Sequence, residues 1–186
     1  MLRKEMTKVE IERELHGKGD YVQIDNITRF LKENLPLDIK KFVYLKLVEI
    51  YERRNMFLDA AEVYGRVAEL ALNSSEKVNF LIKETENYIR AGFFDKADLS
   101  TKRTLLEAKP NERPKISLSI KEFYKNQAQV YEKERRRNKA VKTYEKIITM
   151  DISEPNKNEI NKKLLELYKE LGMIEQYMKL KSQVKI

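Results

Sequence analysis

One histidine and no cysteine occur in the 186 residues, which removes disulfides, thiolate metal sites and cysteine nucleophiles from the chemistry open to this chain. His16 alone supports neither a catalytic triad nor a conventional zinc site. Its place beside Gly17-Lys18-Gly19 suits a helix end, and that tripeptide is too short for a phosphate-binding loop and follows no apolar strand. Carboxylates are plentiful but alternate with Lys and Arg, as on a solvated helix face. No enzymatic activity, metal site or cofactor is therefore expected. The remaining chemistry is charge. The net charge is +8, and it is concentrated: residues 109–150 carry 12 Lys and Arg against 5 Asp and Glu, whereas residues 1–36, 37–74 and 75–108 are each balanced. The densest stretch is Lys133-Glu134-Arg135-Arg136-Arg137-Asn138-Lys139, with Lys142 one turn later.

This run has two readings. In the first, favoured because it needs only local electrostatics, Arg135 to Arg137 end a helix and complement its exposed carbonyls and dipole. In the second, Lys133, Arg135, Arg136, Arg137, Lys139 and Lys142 form an anion-binding patch for nucleic acid (RNA foremost), an acidic peptide or anionic lipid. The nearby aromatics Phe123, Tyr124, Tyr131 and Tyr144 could stack on bases, but they fall on apolar stripes and read as core.

A second polar regularity consists of pairs three residues apart: Lys46 and Glu49, Lys83 and Glu86, Asn126 and Gln129, Lys163 and Glu166. As solvated helix pairs each contributes about 0.2–0.5 kcal/mol. As a ladder on one face they would line a polar groove for a peptide, with Lys125, Asn126, Lys162 and Lys163 at its basic end.

The elements that must position these residues are legible from spacing. Only 5 Gly and 4 Pro occur, while 37% of residues are charged and 41% hydrophobic, a composition that points to helix. An aromatic or leucine is followed nine residues later by a small or apolar residue at Leu15…Ile24, Tyr51…Ala60, Tyr88…Ala97, Tyr131…Ala140 and Tyr168…Tyr177. The leading residues stand 36, 37, 43 and 37 positions apart. Such a period marks stacked helix–turn–helix units, none able to bury its apolar face alone. Five hairpins are expected, over about residues 2–35, 38–73, 75–108, 114–150 and 156–186, within a single domain spanning 1–186. Their helices should run about 10–18 residues.

The second helices carry the stripes Ala60, Ala61, Tyr64, Val67, Ala68 and Leu72, then Ala97, Leu99, Leu105 and Leu106. Gly92 is expected to end a helix in a left-handed conformation, Asp95 to cap the next one, and Pro114 to sit in a first turn. No run reaches the roughly 18 apolar residues of a membrane span, and the charged start Met1-Leu2-Arg3-Lys4-Glu5 reads as no secretory signal. A soluble cytoplasmic protein is expected.

The Tyr/Ala pairs, the aromatics Tyr44 and Tyr124, the glycines Gly92 and Gly172, and the segments Asp59-Ala60-Ala61-Glu62-Val63-Tyr64 and Asp95-Lys96-Ala97 together resemble the tetratricopeptide repeat (TPR). The resemblance covers nearly the whole chain. These units are two to nine residues longer than the family period of 34, and the family's early small residue is Val48, Thr85 and Leu165 here, with only Ala128 fitting. The resemblance implies an all-α, right-handed solenoid of about five TPR-like hairpins, about ten helices, serving as a scaffold that binds a protein or peptide through its concave face. The basic fourth hairpin would bias partners towards acidic ones, with RNA binding through residues 113–146 as the alternative. Leu45 and Ile82 stand where the family's terminal-carboxylate clamp needs polar residues, so that specificity is not implied. Self-assembly through the last helix, which carries Met173, Ile174, Tyr177, Met178 and Leu180, is a further alternative.

Overall fold

The computed structural model describes residues 2–184. Among these the chain is all-helical, with no strand. Ten α-helices follow one another: α1 (Lys8–Leu15), α2 (Asp20–Phe30), α3 (Leu37–Arg53), α4 (Phe57–Glu69), α5 (Ser74–Ala91), α6 (Phe94–Glu107), α7 (Arg113–Lys133), α8 (Arg137–Ile148), α9 (Glu154–Glu170) and α10 (Ile174–Gln183). The chain divides into two compact units, one ending at Arg113 and the other beginning at Pro114. The long step between Tyr88 and Tyr131 is absorbed largely by α7, which has 21 residues against 17 in α3 and 18 in α5.

Four turns share one backbone solution. The residue four past each leading tyrosine adopts a positive φ: Asn55 at 57°, Gly92 at 82°, Arg135 at 58° and Gly172 at 68°. The next residue's N–H then reaches back to the tyrosine carbonyl, as in Met56 to Tyr51 (2.8 Å), Phe93 to Tyr88 (3.0 Å), Arg136 to Tyr131 (2.8 Å) and Met173 to Tyr168 (2.8 Å). This is the six-to-one bond of a Schellman cap, and it satisfies a carbonyl that the helix end leaves open.

Met56, Phe93, Arg136 and Met173 then start the following helices with ψ between 58° and 72° and no side-chain cap. Their carbonyls accept from the N–H groups of Ala60, Ala97, Ala140 and Tyr177. The nine-residue spacing is the length of this cap plus one helical turn. Asp95 accordingly does not cap α6: the cap position is Phe93, and Asp95 lies in the first turn. The turn geometry sets the cap position, two residues ahead of the aspartate.

In the unit ending at Arg113, α2 packs on α3, α3 on α4, α4 on α5 and α5 on α6. Ala60 and Ala97 are fully buried, so the two helices of each hairpin approach closely there. Polar bonds link successive hairpins at one repeat length. Lys41 binds Glu76, Asn87 donates to Glu52 (3.0 Å), Lys96 to Glu62 (3.1 Å) and Arg103 to Glu69 (2.8 Å), at separations of 34 or 35 residues. In the unit beginning at Pro114, α8 packs on α9 and α9 on α10. There Lys125 reaches Glu159 (3.5 Å) and Arg137 reaches Glu170 (2.5 Å), 34 and 33 residues apart.

The apolar stripe expected on α6 is out of phase. Leu99 and Leu106 are exposed, while Ala97, Ser100 and Thr104 face inward. Polar residues are tolerated inside because each hydroxyl finds an acceptor: Ser100 the Glu84 carboxylate (2.9 Å), Thr104 the Ser100 carbonyl (2.8 Å), while the Thr85 hydroxyl bonds that of Ser100 (2.8 Å). Glu84 is 5% exposed, and it explains a glycine. A Cβ on Gly65, in the middle of α4, would lie 2.8 Å from the Glu84 Oε1, so this helix keeps the one residue that leaves room for the carboxylate. Leu72, also expected in the core, lies past the end of α4 and is exposed.

Candidate interaction site

The two sets of residues singled out by spacing behave differently once folded. In the first unit the ladder is closed on itself. Lys46 bridges Glu12 (2.8 Å) and Glu49 (3.3 Å), and its ammonium lies over the Phe42 ring, 5.6 Å from the centroid. The bond to Glu12 holds the Lys46 ammonium above its ordinary pKa, against some desolvation, and Glu49 adds to it. Lys83 pairs with Glu86 at 3.2 Å. In the second unit the expected Lys163–Glu166 pair is replaced, because Lys163 turns to Glu132 on α7 (3.3 Å). Lys125 is held by Glu159. Asn126 and Lys162 are exposed and make no ion pair or hydrogen bond through their side chains among the described residues, and Gln129 is half-buried.

Glu132 belongs to a constellation that spacing did not reveal. It accepts from the Tyr144 hydroxyl (2.7 Å), as Glu52 accepts from Tyr64 (3.4 Å), in both cases 12 residues on. Each carboxylate then takes a donor from the next first helix, Lys163 for Glu132 and Asn87 for Glu52. Burial, with the neighbouring carboxylate adding to it, drives both phenols well above their ordinary pKa. The signal available in the sequence was a second phrase, Tyr51-Glu52…Tyr64 and Tyr131-Glu132…Tyr144.

The basic run does not end a helix in the way local electrostatics suggested. α7 finishes at Lys133. Arg135 occupies the left-handed turn position, Arg136 the cap position of α8, and Arg137 and Lys139 the first turn of α8. Cations there oppose the helix dipole, which favours negative charge at an N-terminus, and the first turn of α8 contains no acidic residue. Only Lys133 sits where a cation complements exposed carbonyls.

Lys133, Arg135, Arg136, Arg137, Lys139 and Lys142 are all exposed. Arg136 pairs with Glu134 (3.3 Å) and Arg137 with Glu170, both on the surface, where such pairs contribute only about 0–1 kcal/mol. Lys139 lies over the Tyr131 ring at 5.6 Å. Lys133, Arg135 and Lys142 have no acidic partner among the described residues. The aromatics expected in the core are there: Tyr124, Tyr131 and Tyr144 are buried and Phe123 is half-buried.

No group of three or more His, Asp or Glu able to hold a metal ion occurs among the described residues, and no helix there is long and apolar enough to cross a membrane. No family model matches the chain, and no curated protein or solved structure matches it either.

Proposed function

We propose that this chain is a non-enzymatic, cytoplasmic protein-interaction module, a solenoid of TPR-like hairpins that holds an acidic peptide or protein on the polar faces of its first helices. The observation that carries this reading is the contrast along those faces. Lys46, Glu49, Lys83 and Glu86 satisfy one another, whereas Asn126 and Lys162 stand exposed without partners. Side chains already held at fixed distances lose little freedom when a ligand is added, and those without partners offer it hydrogen bonds and charge.

Selection of peptides from a random displayed library tests the reading. Enriched sequences should be rich in Asp and Glu, and their binding should fall on Lys162→Glu and Asn126→Ala. Enrichment indifferent to both changes would overturn it.

Self-assembly has an observation of its own. α10 buries no residue fully, and Ile174 and Met178 are 73% and 60% exposed. Light scattering at high concentration decides: an oligomer dispersed by Met178→Glu supports this reading, and a monomer removes it.

A further inference from the structure

We infer that the α7–α8 turn is the docking point for an acidic polypeptide segment, one presenting several Asp and Glu side chains in succession. The inference rests on the interaction-module reading and adds a second point of contact for its acidic partner, beyond the polar faces of the first helices. Its starting point is an internal comparison. Four turns share one backbone, and three of them are built from Asn55-Met56, Gly92-Phe93 and Gly172-Met173. The fourth is Arg135-Arg136.

A non-glycine residue at positive φ is strained, by about 1–2 kcal/mol in the left-handed region, and asparagine tolerates that region better than arginine does. The apolar residue at the cap position is likewise replaced by a guanidinium. Among the described residues no buried acid compensates either change: Arg135 has no acidic partner, and Arg136 meets only the exposed Glu134. Two guanidinium groups, each able to grip a carboxylate with two parallel hydrogen bonds, therefore stand exposed at the turn of the hairpin.

The surroundings extend this surface. Lys139 and Lys142, three residues apart on the solvent face of α8, and Lys133 at the end of α7 are exposed. Within residues 109–150 the acids are too few to neutralise them, 5 against 12 cations, and two of those acids, Glu132 and Glu145, are engaged by the Tyr144 and Tyr168 hydroxyls.

The same charge would attract a nucleic acid backbone, but single-stranded RNA binders add aromatic platforms for the bases. Here Tyr124, Tyr131 and Tyr144 are at most 3% exposed, and the Tyr131 ring is covered by Lys139. A patch of cations without stacking surface fits side-chain carboxylates better than bases.

The double variant Arg135→Gly with Arg136→Met restores the turn sequence found at Gly172-Met173. It should fold with unchanged or raised thermal stability, so loss of binding in it is not loss of structure. The probes are a labelled peptide of about 20 alternating Asp and Glu residues and an oligouridylate of equal charge, each titrated by anisotropy at about 50 and about 200 mM salt. Lys102→Glu, at an exposed cation on α6, serves as control.

The expected result is that the peptide binds more tightly than the oligouridylate, that the double variant weakens it at least tenfold, and that Lys102→Glu does not. Tighter binding of the oligouridylate would overturn the inference in favour of a nucleic-acid interface. Peptide binding that survives the double variant but falls on Lys162→Glu would also overturn it, leaving the interaction module intact with its partner on the first helices. Binding of neither probe would remove both readings.

Discussion

The turn at Gly92 and the turn at Arg135 have the same backbone and opposite chemistry. Both follow a buried tyrosine, both close through a bond to that tyrosine's carbonyl, and both lead to a fully buried alanine nine residues after the tyrosine. After Gly92 comes an apolar cap residue, and Asp95 lies in the first turn of α6. After Arg135 come two more arginines, and no acid lies in the first turn of α8. The first turn is optimised for folding: glycine relieves the strain and the acid complements the dipole. The second gives up both advantages while keeping the geometry. Packing dictates the backbone wherever the hairpin closes, and the exposed side chains remain free to serve something other than stability.

The equivalence of the two hairpins is most severely challenged at their buried alanines. Ala97→Leu and Ala140→Leu should each destabilise the protein by about 2–3 kcal/mol, since both alanines are fully buried and the added atoms must displace their neighbours. Chemical denaturation monitored by circular dichroism measures this. If Ala140 tolerates the change, the α7–α8 hairpin is not packed as its counterpart is.

Exchanging the turn residues sharpens the contrast. Gly92→Arg should cost about 1–2 kcal/mol, and Arg135→Gly should stabilise by about 1 kcal/mol, read as opposite shifts in the denaturation midpoint. Shifts of the same sign would show that Arg135 is held by interactions that offset its strain.

The smallest expected effect concerns the carboxylate beside Gly65. Burial pushes the Glu84 pKa above its ordinary value of 4.5, only partly opposed by the Ser100 hydroxyl and the Arg103 guanidinium. A group whose folded-state pKa is raised stabilises the fold at pH below its unfolded value, and that contribution is lost as pH rises through the folded one. The wild-type protein should therefore lose part of its stability as pH climbs from about 4 towards neutrality, and Glu84→Gln should flatten that part of the profile. Carboxylates such as Glu76, held down mainly by its bond to Lys41, act in the opposite sense, so the difference between variant and wild type is the diagnostic quantity. A variant that tracks the wild type at every pH would show that Glu84 does not titrate in this range.

Much of this was legible in the residues, and the exceptions have identifiable causes. Periodicity located the helices because each must bury one stripe, and the left-handed ends at Gly92 and Gly172 followed from what glycine alone adopts without cost. Apolar spacing does not mark the interior where burial is polar. On α6 the leucines drew the stripe to Leu99 and Leu106, while Ser100 and Thr104 took the interior because hydroxyls and a carboxylate could satisfy one another there. The Lys163–Glu166 pair failed for a related reason. Spacing along one helix reports its neighbours three and four residues away, but Glu132 on the adjacent helix offers a half-buried acceptor already ordered by Tyr144. The arginine run differs from expectation because α7 ends at Lys133, two residues before Arg135, which moves Arg136 and Arg137 from the end of one helix to the start of the next.

The sequence by itself determined the helical class, the number of helices and the sites of the turns, because these depend on local propensity and on the spacing of apolar residues. It also determined that the excess charge lies within residues 109–150. Only the tertiary structure decided which polar groups spend their charge inside the protein and which keep it for the surface. Lys46 and Lys163 are neutralised by Glu12 and Glu132, brought from other helices, whereas Arg135 and Lys142 meet no acid among the described residues, and that outcome depends on which helix faces meet.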